Sequence, residues 1–189
     1  MTTTTLEHEP TLEDLFADND GKLMELVHGE LKEKKVGFLA LWIASEISRL
    51  IGNYVQTEKC GWVTTELPVG CFPWLGRHAR RPDVVYFSND RIPTDAPTED
   101  PLTAVPNLVV EVVSKNDNVL ELEEKIHEYR KAGVDMIWVV NPKRKSINVH
   151  FNDGHIQPFG TDDMITGGDV IPGFSEKVHN FFPVPRPKK

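Results

Sequence analysis

The strongest periodic signal in the chain is a stripe of apolar residues spaced three and four apart between positions 36 and 54. This spacing predicts one long helix with a single buried face. The stripe consists of Val36, Leu39, Ile43, Ile47, Leu50 and Tyr54. Immediately before it, the segment MELVHGELKEK alternates apolar and polar residues around Gly29, which predicts a small β-hairpin.

Two runs of apolar residues, PNLVVEVV and MIWVVN, predict strands that are covered on both faces. The segments GWVTTELPVG, RPDVVYFS and SINVHFN predict three further strands. A second helix is predicted from about Asn118 to Lys131, with Gly133 as its C-terminal stop. Its inward residues are predicted to be Val119, Leu122, Ile126 and Tyr129. The glycines of GTDDMITGGDVIPGF predict turns, and the following EKVHNFF is expected to dock on the domain.

This order of elements predicts an α/β fold in which helices pack on a mixed central sheet. With 189 residues, 39% of them hydrophobic and 26% charged, the chain has the profile of one ordinary domain. We predict a polar N-terminal segment at 1–20, a single domain at 21–183 and a basic tail at 184–189.

Composition excludes several classes of protein. The longest apolar stretch is about half of what a membrane-spanning helix needs, and the first thirty or so residues lack a signal-peptide pattern, so we expect a cytoplasmic protein without a membrane partner. Cys60 and Cys71 form no C-x-x-C pair, and the histidines show no zinc-site spacing. The net charge of −8 argues against a surface that grips nucleic acid everywhere, although a local basic groove is compatible with it.

The candidate chemistry begins with Glu111, a carboxylate in the middle of an apolar strand. Burying an unpaired charge costs several kcal/mol, roughly, so Glu111 should be protonated, paired with a basic residue or bound to a cation. Asp83 follows Pro82 at the start of the preceding predicted strand. Carboxylates on adjacent strands suit Mg²⁺ or Mn²⁺, which prefer hard oxygen ligands.

Lys125 is a basic residue that backbone geometry can bring level with this pair. Glu111 lies about 10 Å below the end of its strand, and the next helix descends by about the same distance before it reaches Lys125. Lys125 also falls beside the buried stripe of that helix, so its amine can point towards the acids. The alternative is an ordinary helix pair with Glu121, four residues earlier.

Four segments in order, RRPDVVYF, PNLVVEVVSKND, ELEEKIHEYRKAGVDMIWVVNP and GGDVIPGF, resemble the Uma-two family. This is a large bacterial group of restriction-endonuclease-like proteins in the PD-(D/E)xK nuclease superfamily. The resemblance runs from LMELVHGELKEK to FSEKVHNFF. It implies an αβββαβ core and a divalent metal, Mg²⁺ or Mn²⁺, held by Asp83 and Glu111.

The same resemblance extends the predicted site. Val113 stands where the superfamily has its lysine, and Lys125 matches the position from which related families recruit one. Superfamily members often carry an acid on the first helix, which makes Glu46 a candidate third ligand. Glu30 and Glu66 are further candidates for a third acid. Arg80 and Arg81, immediately before the Asp83 strand, are the predicted phosphate contacts.

The leading functional prediction is a metal-dependent endonuclease that hydrolyses DNA phosphodiester bonds. The alternative is a catalytically degenerate nuclease fold that acts as a binding or scaffold protein, motivated by Val113 and the acidic net charge. A third prediction is a phosphohydrolase of nucleotides or other small phosphorylated substrates. Proteins of this fold often form homodimers, although no residue identifies an interface. For Glu111, a buried ion pair with Arg77, Arg80 or Arg81 stays open.

Overall fold

A computed structural model of the protein describes residues 9–17, 19–92, 103–115 and 117–183. In these residues there are two α-helices, Phe38–Glu58 (α1) and Val119–Ala132 (α2). The strands are Met24–Val27 (β1), Glu30–Glu33 (β2), Gly61–Thr65 (β3), Val84–Ser88 (β4), Leu108–Val112 (β5), Met136–Asn141 (β6), Ser146–Phe151 (β7), Ile156–Phe159 (β8), Met164–Gly167 (β9) and Ile171–Lys177 (β10). Short 3-10 turns are formed by Glu13–Leu15, Pro73–Leu75 and Val178–Phe181.

The central sheet has six strands in the order β3-β4-β5-β6-β7-β8. Every neighbouring pair is antiparallel except β5 and β6, which run parallel. A parallel pair needs a long crossover connection, and α2 is that connection. The order α1, β3, β4, β5, α2, β6 is the αβββαβ core, so the predicted fold class is confirmed.

Helices cover both faces of the sheet. On one face, α1 packs against β4, β5 and β6 in the larger apolar cluster, with Ile43, Ile47 and Ile51 among its fully buried residues. On the other face, Tyr129 of α2 packs against Val85 of β4 and the neighbouring strands. Two-sided burial is why β5 and β6 consist almost entirely of apolar residues.

The helix boundaries follow local sequence signals, but the buried faces differ from the predicted ones. Asn118 caps α2 by accepting a hydrogen bond from the Leu120 amide at 3.0 Å, and Gly133 ends it with φ of 92°. Val119, predicted to face inward, is 67% exposed because it lies in the open first turn. In α1, Leu39 is 44% exposed. The buried face is rotated towards small residues that let the helix approach the sheet, and consists of Ala40, Ile43, Ala44, Ile47, Ile51 and Val55.

Two hairpins flank the sheet. The predicted hairpin of β1 and β2 is present, and its Leu26 pairs with Ala79 in the segment that leads into β4. The glycine-rich segment predicted as turns instead forms the β9–β10 hairpin. Its register shifts between Ile171 and Ser175, where Gly173 has φ of 85°. Because of this irregularity, buried and exposed residues do not alternate regularly along β10.

The ends of the chain are described only in part. The predicted polar segment is described from residue 9 onwards, and the basic tail at 184–189 lies outside the described residues. Within the described part of the chain, neither helix has the length and apolar character needed to cross a membrane.

Candidate active site

Asp83 and Glu111 lie side by side on adjacent strands. The Asp83 amide donates to the Val110 carbonyl at 3.1 Å, and the next residue, Val84, pairs with Val110 in the antiparallel register. Asp83 is therefore directly across from Glu111, and opposed residues of an antiparallel pair point to the same face. Both are buried, and both line a cavity of about 360 Å³.

The Asp83 carboxylate is held by two donors. Its Oδ2 accepts a hydrogen bond from the Val112 amide, and its Oδ1 lies 2.6 Å from the Lys34 ammonium. Lys34 follows directly after β2, and it also donates to Glu66 Oε2 at 2.8 Å and to the Arg81 carbonyl at 2.7 Å. The position of Asp83 is thus fixed by backbone and side-chain donors from two separate parts of the fold.

One oxygen of the Glu111 carboxylate accepts a hydrogen bond, and the other faces a charged group. Oε1 accepts a hydrogen bond of 2.8 Å from the Tyr129 hydroxyl, and Oε2 lies 3.7 Å from Lys125 Nζ. Burial raises the pKa of Glu111 to about 7; the positive charge of Lys125 opposes this shift and the negative charge of Asp83 adds to it. Near neutral pH, this carboxyl is therefore poised between its protonated and ionised forms.

Lys125 reaches the acids from α2, where the helix rise predicted it. Its ammonium donates a 2.7 Å hydrogen bond to Glu25 Oε1 of β1 and faces Glu111 across the cavity. Burial works against the charged form, but the charges of Glu111 and Glu25 raise the pKa of Lys125 above its usual value. No ion pair between Lys125 and Glu121 is formed among the described residues, so the ordinary helix pair is not the arrangement found.

Comparison with known proteins places this chain in a family. The model of the Uma2 family, described as "Putative restriction endonuclease", matches residues 9–182. The chain belongs to the Uma2 (Uma-two) family. One solved structure with the same fold is "a putative nuclease belonging to DUF820" from Anabaena variabilis, with 20% identity, 92% of this chain and 97% of that chain covered, and a TM-score of 0.76. No functionally curated protein matches the sequence.

In this Uma2 protein, the two arginines before β4, which were predicted to contact phosphate, are buried. Arg80 is bidentate to Glu128, at 2.7 and 2.9 Å, and also reaches Glu25. The Arg81 guanidinium donates to three backbone carbonyls, those of Leu15, Met24 and Glu66. These carboxylate and carbonyl acceptors come from several parts of the chain. They provide hydrogen bonds to two guanidinium groups that would otherwise be costly to bury. Of the two arginines, Arg80 lines the cavity.

Three other acids were predicted as candidates for a third ligand, and they lie in different places. Glu46 pairs with Arg49 on α1 and is not among the residues that line the cavity. Glu30 is exposed in β2. Glu66 reaches Asp83 indirectly, through the ammonium of Lys34 that both carboxylates share.

The site also contains residues that the sequence prediction missed, chiefly Glu25 and Lys34. Lys34 belongs to a lysine-rich run that is typical of a solvated surface. Glu25, however, carries a usable signal, because it is an acid beside the apolar residues Leu26 and Val27, the same signature that singled out Glu111. Only the docking of the hairpin on the sheet, seen in the Leu26–Ala79 pairing, shows that both residues lie at the site.

The carboxylate oxygens at this site fit the ligand requirements of a hydrated divalent ion. Within the residues that the structure describes, no three His, Cys, Asp or Glu side chains form a ready-made metal cluster. Mg²⁺, however, is commonly held by one or two carboxylates and several waters. Asp83 and Glu111 supply that pair on one face of the sheet, and the cavity in front of them leaves room for water.

Proposed function

We propose that this Uma2 protein is a divalent-metal-dependent nuclease that hydrolyses DNA phosphodiester bonds. The observation that carries the proposal is the convergence of Asp83, Glu111 and Lys125 on one cavity. The family description and the name of the solved relative, both of which refer to nucleases, support the same reaction class. We propose Mg²⁺, with Mn²⁺ as a substitute, because both prefer carboxylate and water ligands.

In this proposal, Asp83 and Glu111 hold the ion. When bound there, the ion would polarise the phosphodiester and lower the pKa of a bound water. Tyr129 orients Glu111 by donating to Oε1, which leaves Oε2 directed to the charged side of the cavity. The Val112 amide and Lys34 hold Asp83 in the matching orientation.

Lys125 acts in this proposal as a donor rather than as a base. An ammonium group has three hydrogens, and among the described residues Lys125 makes a single hydrogen bond, to Glu25. Its remaining hydrogens are available to a water or a phosphate oxygen in the cavity. Because Glu25 and Glu111 keep the pKa of Lys125 high, the amine carries a positive charge that stabilises negative charge developing on the phosphate.

Binding of a DNA backbone requires positive charge near the cavity, despite the net charge of −8. Lys32 and Lys35 line the same cavity, as does Arg80. We propose these residues as the local basic surface that receives phosphate. The exposed lysines supply most of that contact, since the guanidinium of Arg80 is occupied by Glu128.

A plasmid assay tests the proposal. Supercoiled DNA is incubated with the protein and Mg²⁺ or Mn²⁺, and with EDTA as the metal-free reference. We expect nicking with either metal, no nicking with EDTA, and none by Asp83→Asn or Glu111→Gln. Glu46→Gln, whose carboxylate lies away from the cavity, is the matched control and should cut like the wild type. Unchanged cutting by Asp83→Asn would reject the assignment.

A binding or scaffold protein with a degenerate nuclease site is the second candidate. The observation that favours it is that Lys34 and Lys125 already place ammonium groups beside the two carboxylates. Titration calorimetry with Mn²⁺ separates the candidates, because a protein without any metal binding favours the scaffold. A phosphohydrolase shares the metal chemistry, and it would prefer free nucleotides to plasmid in a substrate panel.

Two further parts of the proposal concern the cellular setting. We expect the protein to act in the cytoplasm, where Cys60 and Cys71 would stay as the free thiols they are here. A homodimer also stays a prediction. Sedimentation analysis with and without DNA is the measurement that checks it.

A further inference from the structure

Three acids form a row across three neighbouring strands. The Glu66 amide donates to the Asp83 carbonyl at 3.3 Å, directly after the Thr65–Val84 pair of β3 and β4. Asp83 in turn lies across from Glu111. Like charges that face each other across strands destabilise a sheet. The row Glu66-Asp83-Glu111 therefore requires positive charge between its members.

Lys34 supplies the positive charge between the first two acids. Its ammonium lies 2.8 Å from Glu66 Oε2, 2.6 Å from Asp83 Oδ1 and 2.7 Å from the Arg81 carbonyl. The side chain is only 10% exposed. Three oxygens take up the three hydrogens of the ammonium group, so Lys34, unlike Lys125, has no hydrogen left for a substrate.

One oxygen atom near Lys34 accepts no hydrogen bond from the lysine or from any other described residue. Glu66 Oε1 is buried, and it is the one buried side-chain polar atom without a hydrogen-bond partner in the described part of the chain. A buried acceptor of this kind destabilises the fold when it is left unpaired. A small divalent cation between Glu66 and Asp83 would use that oxygen.

We propose that Lys34 is a built-in cation that occupies the position between Glu66 and Asp83, so that the site binds one divalent ion instead of two. The inference rests on the proposed function, because it assumes that the first ion binds between Asp83 and Glu111. Lys34 is then a positioning residue, which holds Asp83 in place without touching the reacting atoms. Removing its side chain should open a second cation site between the two acids.

A purely structural role for Lys34 makes a different prediction. Within the hairpin, the Lys34 amide already donates to the Leu23 carbonyl at 2.7 Å, and the Arg81 guanidinium ties the hairpin to the segment before β4 by donating to the Met24 carbonyl. If the Lys34 ammonium only added to this attachment, its removal would lower stability and leave the number of bound ions unchanged. The stoichiometry of metal binding distinguishes the two roles.

The experiment measures the number of Mn²⁺ ions bound per chain, by titration calorimetry and by the loss of the free Mn²⁺ signal in electron paramagnetic resonance. We expect one ion for the wild type, two for Lys34→Ala, and one again for Lys34→Ala combined with Glu66→Gln. Lys22→Ala removes an exposed lysine outside the cavity and should bind one ion. Circular dichroism checks that each variant is folded. Lys34→Gln, which keeps the length of the side chain but not its charge, replaces Lys34→Ala if that variant does not fold.

The outcomes separate this inference from the proposed function. Two ions on the wild type, or one ion on both the wild type and the folded Lys34 variants, would overturn the inference and leave the nuclease proposal intact. If the wild type binds none, the nuclease proposal fails. The inference then stands only if the Lys34 variant gains an ion that Glu66→Gln removes, and it falls if no ion is gained. If neither Lys34 variant folds, Lys34 has the structural role and the inference falls.

Discussion

Asp83 and Glu111 face each other across an antiparallel strand pair, and both carboxylates open into the same cavity. In the described residues neither is bonded to an arginine: Asp83 pairs with Lys34, and Glu111 contacts Tyr129 and Lys125. The arrangement keeps two acids close together in a buried place, with lysines as their charged partners. The contact between Lys125 and Glu111, at 3.7 Å, is longer than a hydrogen bond, so it leaves that carboxylate oxygen open to a metal ion.

Glu111→Gln should stabilise the metal-free protein at alkaline pH. The pKa of Glu111 is about 7 in the folded protein, above its ordinary value of 4.5. Between these two values the folded state binds the proton more tightly than the unfolded state, so stability falls as pH rises through about 7. We expect urea denaturation in EDTA to show the variant more stable than the wild type near pH 8, by up to about 3 kcal/mol. The two should differ little near pH 5.

The reference for this comparison is Glu46→Gln, which removes a carboxylate whose partner is Arg49 outside the cavity. This variant should follow the pH dependence of the wild type. A Glu111→Gln protein that is less stable than the wild type across the whole pH range would show that ionised Glu111 stabilises the fold, contrary to its raised pKa.

Affinity for Mn²⁺ should rise with pH and level off above about pH 7. A metal binds the ionised carboxylate, so the proton held by Glu111 must leave first. Below its pKa of about 7, affinity should fall by roughly tenfold per pH unit if one proton is released. Calorimetry in buffers of different ionisation enthalpy measures this proton release directly. A pH-independent affinity, with no proton released near pH 6, would contradict this assignment.

A structural feature of this protein can be predicted from the sequence when its pattern lies in consecutive residues. The long helix, α2 with its Asn118 cap, and the buried strands β5 and β6 all leave periodic or capping patterns in consecutive residues. The Asp83–Glu111 pair is predictable for a related reason. A carboxylate inside an apolar run is costly, and adjacent strands bring such residues together.

The rest depends on contacts between distant parts of the chain. Lys34 and Glu25 reach the site because their hairpin docks beside the sheet, through pairing that spans about fifty residues of sequence. The burial of Arg80 depends in the same way on Glu128, which α2 brings to it. No local pattern distinguishes a lysine or arginine that will find such a partner from one that stays in solvent.

Lys125→Ala should lose nicking activity while retaining metal binding. Lys125 donates to Glu25 but is not itself a metal ligand, so its removal takes away a positively charged donor aimed at the cavity. Loss of one such donor costs about 10²–10³-fold in rate. Single-turnover plasmid cleavage measures the rate, and calorimetry measures the Mn²⁺ affinity. Lys131→Ala, on the same helix with its ammonium over the Trp74 ring, is the control and should retain full activity. Equal activity of the two variants would remove Lys125 from the mechanism.

Tyr129→Phe should lower stability and shift the pH dependence of metal binding to higher pH. The Tyr129 hydroxyl donates to Glu111 Oε1 at 2.8 Å in a fully buried setting, and this hydrogen bond favours the ionised carboxylate. Its loss leaves a buried acceptor unpaired, at a cost of about 1–3 kcal/mol, and raises the pKa of Glu111 further. Urea denaturation and the pH profile of Mn²⁺ affinity measure the two effects. Tyr86→Phe is the matched control, since its hydroxyl donates to the Cys60 carbonyl, and it should lose stability without moving the profile. If both variants move the profile equally, the shift reflects general loosening of the core rather than the bond to Glu111.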